Sequence, residues 1–202
     1  MKNFWPFLIL ILSVVNASCT KDYELRKSVF IPDSDNPNLP AYSEWGYNTF
    51  GAYYERNIFI SNNYIVPAKI ISTDTAMSFI LSGQLGMEEM YSDYTEMTMT
   101  FVLPGLSPSS YADLTILNDS IVDLTNPDVQ VQISTELNSD AVLIPEGQLN
   151  FNHVRILYVD EGQTEAILSG YFDFKAVINE IPVSVYDGRF DVGISNYNFF
   201  NF

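Results

Sequence analysis

Few residues in this chain are of types that carry catalysis: one histidine, one cysteine and a scatter of carboxylates. His153 stands in Asn150-Phe151-Asn152-His153-Val154-Arg155-Ile156-Leu157-Tyr158. A period of two places it beside Arg155 on one face and Val154, Ile156 and Tyr158 on the other, so it reads as a solvent-facing histidine. A Ser-His-Asp triad would have to recruit this histidine, and no Gly-x-Ser-x-Gly turn offers the serine. Zinc takes several histidine or cysteine ligands, which a chain with one of each does not supply. Glycoside hydrolysis needs two carboxyl groups a few ångströms apart. Glu88-Glu89, Asp160-Glu161, Asp173, Asp187 and Asp191 are available, but no spacing selects a pair. Asp33-Ser34-Asp35-Asn36-Pro37-Asn38 begins like a calcium loop, then puts Pro37 at a ligand position and Asn38 where the sharp turn needs glycine. The expectation is therefore no catalytic residue, no metal ligand and no cofactor.

Aromatic side chains are the stronger candidates for recognition. The chain has 13 tyrosines and 14 phenylalanines, and Tyr42, Trp45, Tyr47, Tyr53 and Tyr54 crowd one short stretch. Flat rings with a polar edge suit stacking on a glycan or on another protein. The competing reading is that they fill a β core and its edge. Asp74-Thr75-Ala76 and Asp119-Ser120-Ile121 carry the acid-hydroxyl-apolar pattern that resembles Bacteroidota O-glycosylation sites, which makes Thr75 and Ser120 candidate acceptors.

The elements that must position these residues are strands. In Thr95-Glu96-Met97-Thr98-Met99-Thr100-Phe101-Val102-Leu103, apolar and polar residues alternate, and Val129-Gln130-Val131-Gln132-Ile133 repeats the pattern. Further strands are expected over 49–54, 68–72, 78–83, 148–152, 154–159, 166–177, 183–186 and 189–194. Asp160-Glu161-Gly162, Asn179-Glu180 and Asp187-Gly188 mark turns between them. Ser107-Pro108-Ser109-Ser110 opens one short helix, with a serine cap and proline at the first helical position. This pattern predicts an all-β domain over 47–195, an antiparallel β-sandwich with one short helix, the alternative being a lipocalin-like or open β-barrel. The tail 196–202 is aromatic and reads as an extra edge strand.

The ends and the charge give an address. Met1-Lys2-Asn3, an apolar run over 4–15 and Asn16-Ala17-Ser18-Cys19 have the parts of a secretory signal peptide, 1–18. The run is too short to span a bilayer, which takes roughly twenty helical residues. Ala17-Ser18-Cys19 resembles the lipobox of bacterial lipoproteins, although Asn16 stands where an aliphatic residue is usual. That resemblance implies an acylated (palmitate-type) Cys19 as the mature N-terminus and anchorage in a membrane. Several acyl chains on one cysteine anchor stably, where a single chain does not. The stretch 19–46 reads as the lipidated N-terminus and a flexible tether, polar and broken by Pro37 and Pro40. Thr20-Lys21-Asp22-Tyr23-Glu24 resembles the signal that sends Bacteroidota lipoproteins to the cell surface. A net charge of −16 repels phosphate backbones and excludes nucleic acid as a partner. With 47% hydrophobic residues, the chain is a folded domain and not an acidic tail.

Leu168-Ser169-Gly170-Tyr171-Phe172-Asp173-Phe174 and Gly188-Arg189-Phe190-Asp191-Val192 resemble the closing strands of a family of small, uncharacterised Bacteroidota lipoproteins. Asn48-Thr49-Phe50-Gly51-Ala52 is similar to the start of their domain, and Leu103-Pro104-Gly105 to a mid-domain element. The resemblance, over about residues 48–194, implies an outer-membrane lipoprotein of β fold and brings no known activity with it. The expected function is a non-catalytic, surface-anchored binding or structural module with a glycan or envelope protein as partner. The alternative is a carboxylate-dependent glycoside hydrolase.

Overall fold

A computed structural model describes residues 28–62, 66–86, 94–135, 139–159 and 162–202. Cys19, Glu88, Glu89, Asp160, Glu161 and the first part of the expected tether lie outside the described residues. The strands are β1 (Thr49–Tyr54), β2 (Asn57–Ser61), β3 (Ala68–Ser72), β4 (Ala76–Gly86), β5 (Thr95–Pro104), β6 (Ser120–Asp123), β7 (Gln130–Thr135), β8 (Ser139–Val159), β9 (Gly162–Ile178), β10 (Ile181–Ile194) and β11 (Phe199–Asn201). One short 3-10 helix, Tyr111–Leu117, separates β5 from β6. The fold is all-β with one short helix, and β5 shows the reason. Met97, Met99, Phe101 and Leu103 are buried, while Glu96 is exposed and Thr98 and Thr100 keep partial access to solvent.

Local details depart from the sequence pattern in physically simple ways. Residues 148–159 form one strand, because the break at Asn152 is a register shift against β9 and not a turn. Asp187-Gly188 is likewise a bulge inside β10, with Asp187 at φ 53°. A left-handed residue beside glycine serves a bulge as readily as a turn, so the dipeptide alone does not tell them apart. The helix starts after Ser110 instead of at Pro108, because the Asp113 carboxylate gathers the N–H groups of Ser109 (3.0 Å) and Ser110 (2.9 Å). The tail does add an edge strand, β11, which runs parallel to β3. Strands β2 and β6 are short and carry too little alternation to stand out in sequence.

Pairing runs β4-β2-β1-β10-β9-β8-β7-β5, and β5 pairs in turn with β4. Eight strands thus close on themselves into a hydrogen-bonded, barrel-like ring. The short helix leaves the β4–β5 seam free, because Leu114 and Leu117 turn into the core beside β8 and β9. Long strands also share their edges. One side of β4 pairs with β3 at Met77–Leu81 and with β2 at Gly83–Gly86. One side of β8 pairs with β7 and then with β6.

An eight-stranded ring has an interior just wide enough to fill with side chains. Here Phe50, Phe59, Phe79, Phe101, Phe151, Phe172, Phe174 and Phe190 fill it, each almost fully excluded from water. Phe79 sits among Phe190, Phe151 and Phe101, at centroid distances of 5.1, 5.5 and 6.3 Å. Two inward glycines make room. A Cβ on Gly170 would meet Asn150 O at 1.8 Å and Phe190 Cζ at 2.8 Å, and one on Gly83 would meet Ile60 O at 2.1 Å. The outer wall carries Glu96, Gln130, Asp173 and Lys175, all exposed. An apolar inside and polar outside is the reverse of a lipid-facing barrel. Phe79→Ala should cost about 3–5 kcal/mol, with the denaturant slope unchanged. Urea unfolding followed by tryptophan fluorescence measures it.

Candidate functional site

Residues 28–46, expected as tether, lie as a strap across the outer faces of β1, β9 and β10. Leu39 is wholly buried beneath it, and Pro40 sits so close to Gly51 that a Cβ there would lie 2.4 Å from Pro40 Cδ. The Asp33–Asn38 segment is a turn and not a free linker. Asp33 Oδ1 accepts the N–H groups of Asp35 and Asn36, each at 2.9 Å, and Oδ2 meets Arg189 Nη1 at 2.7 Å. Those two backbone donors, with the Arg189 charge behind them, hold the Asp33 carboxyl below its usual range. Tyr42 stacks on Tyr171 of β9 at 4.5 Å and 20°. Burial, and then the Glu44 carboxylate that accepts its hydroxyl at 2.9 Å, raise the Tyr42 hydroxyl above the usual tyrosine value.

The strap is fastened by Asp191 of β10, which is 2% exposed. Its carboxylate accepts the Ser43 hydroxyl and the backbone N–H groups of Trp45 (3.2 Å), Gly46 (2.7 Å) and Tyr47 (3.1 Å). A buried carboxylate is costly unless hydrogen-bonded, and bonds to a charged acceptor are the stronger kind. Both oxygens are engaged, so this group is a fastener and offers nothing free to a substrate.

The clasp decides how the candidate aromatics are displayed. Trp45 is 68% exposed, with the Arg155 guanidinium 5.3 Å from its ring. Tyr42 and Tyr47 are half-buried on the strap. Tyr53 points outward and stacks on Tyr186 at 5.0 Å, whereas Tyr54 packs against the core. The five aromatics therefore do not converge: β1 alternation sends Tyr53 and Tyr54 to opposite sides, and the strap carries the rest. Arg155 joins Trp45, a pairing across 110 residues that no local motif announces.

One titratable group was missed. Glu165 of β9 lines a small cleft of about 50 Å³ with Asn48, Pro67, Gly193, Ser195 and Asn198. Gly193 makes its space, since a Cβ there would lie 2.5 Å from Glu165 Oε2. The cleft walls are riveted by two asparagines. Asn48 Oδ1 accepts Gly193 N–H at 2.8 Å, and Asn198 Nδ2 donates to Ala68 O and Gly193 O at 2.9 and 2.8 Å. Burial, then the charge of Asp191, raise the Glu165 carboxyl above its usual value of 4.5. Nothing in Gln163-Thr164-Glu165-Ala166 signals this, because the shift comes from what folds over it.

The remaining candidates are dispersed. Thr75 is exposed in the β3–β4 turn, open to modification, whereas Ser120 Oγ is buried without a hydrogen-bond partner, which counts against it as an acceptor. His153 is half-buried beside the bulge in β8, less exposed than its alternation suggested. Asp173 and Asp187 are exposed and far apart in register from the Asp191 clasp. Among the described residues, no three of His, Cys, Asp and Glu gather closely enough to hold a metal ion. No protein-family model, curated protein or solved structure matches this chain.

Two outcomes follow. Asp191→Ala strands the donors of the clasp at a cost on the order of 3 kcal/mol, and hydrogen exchange at the amides of Trp45, Gly46 and Tyr47 should accelerate. For Glu165, a raised carboxyl means the folded state holds its proton longer than the unfolded one. Stability therefore falls as pH rises from 4.5 through the raised value. Glu165→Gln should flatten that slope in urea unfolding measured from pH 4.5 to 8, while leaving the acid limb set by Asp33 below it.

Proposed function

We propose that this protein is an exported bacterial lipoprotein, held in the outer membrane by acyl chains on Cys19 and displayed at the cell surface as a non-catalytic binding module. The address rests on the apolar run before Ala17-Ser18-Cys19. The observation that carries the binding reading is Trp45, a large exposed ring on a strap that is itself clamped to the barrel. Exposed aromatics are ordinarily costly to hold in place, and this one is pre-organised, with a guanidinium beneath it. The ring suits the apolar face of a sugar, and Arg155 supplies donors to the hydroxyl or acidic groups around it. A filled interior supports the outer face, and not a cavity, as the contact surface.

Carboxylate-dependent glycoside hydrolysis would need a second group beside Glu165. The nearest acid that influences it, Asp191, has both oxygens taken by the strap.

Cys19→Ala should release the protein from membranes and abolish fatty-acid labelling. Label persisting on that variant removes the anchor, and full protection from protease on intact cells places the protein on the inner leaflet. On a glycan array, Trp45→Ala should weaken binding at least about tenfold, the scale of a single aromatic anchor, with unfolding unchanged. Equal binding by the variant, or glycan cleavage by the wild type, overturns the module reading.

A further inference from the structure

A second surface lies at the seam where β6 shares β8 with β7. β6 pairs with β8 alone, in the register Ser120↔Phe151, Ile121↔Asn150, Val122↔Leu149 and Asp123↔Gln148. Leu124 N–H donates to Gly147 O in the same register at 3.1 Å. Antiparallel ladders alternate hydrogen-bonded with non-hydrogen-bonded pairs. Ser120 and Val122 therefore spend their backbone groups on β8, and Ile121 and Asp123 direct theirs the other way. The Asp123 carbonyl takes Asn126 N–H at 3.3 Å. No described group takes the N–H and C=O of Ile121 or the N–H of Asp123. Natural edges are ordinarily blunted by proline, lysine or a cover. β6 is short and ends on the exposed Asp123, but it carries no proline or lysine, no described element covers it, and Ile121 is 71% exposed.

Beside the edge runs an open groove of about 250 Å³, where Leu103, Leu106, Ile121, Val122 and Val129 line it together with Asp123 and Asn126. It lies where β5 has passed its last partner on β7, at Val102↔Gln130, and leaves the wall one strand short. Of the nearby carboxylates Asp123 lines the groove and Asp119 precedes the edge strand, while Asp113 is held by Ser109 and Ser110. From Leu103 to Val129 the chain carries Asp113, Asp119, Asp123 and Asp128 and no lysine or arginine.

We propose that the free edge of β6 is a docking site for an extended, basic segment of a partner protein, added as a further strand. The open amide and carbonyl of Ile121 give the main-chain bonds, the groove takes alternate apolar side chains, and the aspartates meet basic residues between them. A second copy of this chain is the poorer occupant, since −16 would face −16 across an acidic edge. The inference is independent of the Trp45 surface and of the lipid anchor.

The test uses a decapeptide of alternating valine and lysine with the purified protein, read by fluorescence anisotropy and by amide chemical shifts. Saturable binding with shifts centred on Ile121 and Asp123 is expected. Methylating the valine amides or the lysine amides should abolish binding in one series and spare it in the other, because only one edge of the guest faces β6. Asp119→Asn with Asp123→Asn should weaken it about tenfold, and Ile121→Pro should abolish it while sparing the ladder to β8. The proposal is overturned by absence of binding, by equal binding of both methylated peptides, by equal binding of a valine–glutamate peptide, or by shifts centred elsewhere.

Discussion

Close packing of phenylalanine inside a closed ring of eight strands is the constraint from which the rest of this structure follows. The rings of Phe79, Phe101, Phe151 and Phe190 touch in tilted and stacked pairs across the interior. Aromatic pairs in such geometries add to the gain from burial, and these rings occupy the space among the described strands that a ligand would need.

The outer face solves a second problem, the burial of a charge. Asp191 lies under chain and must be hydrogen-bonded, and the strap supplies the donors. The relation is mutual: a proline-broken stretch gains a defined path because a buried acceptor requires its amides and Leu39 packs beneath it. Arg189 with Asp33 and Tyr171 with Tyr42 extend the same contact along the barrel. The strap is thus part of the domain, and the outward position of Trp45 is a by-product of how the amides on either side of it are used. Glu165 feels the same arrangement from the other side, as the neighbour that Asp191 makes harder to ionise.

Two outer surfaces of different character result. The Trp45 face is a rigid ring with a cation behind it, suited to stacking. The β6 seam is a main-chain edge beside a groove of mixed apolar and polar lining, suited to strand addition.

The amino-acid sequence by itself determined most of the strands and their buried faces, though not β2, β6 or the first part of β8. Period-two alternation is a local property, legible in Met97, Met99, Phe101 and Leu103 and again in Val131 and Ile133. It also determined that catalytic side chains are scarce, since that is a matter of composition. Ring closure, the strap, the dispersal of Tyr53 and Tyr54 and the pairing of Trp45 with Arg155 were decided only in tertiary structure. Each joins residues far apart in the chain: β4 with β5, Ser43 with Asp191, position 45 with position 155. The Asp187-Gly188 bulge and the raised pKa of Glu165 belong with them. The same dipeptide bends a strand or ends one according to its partner, and a carboxyl responds to the water and charge left around it once the chain has closed.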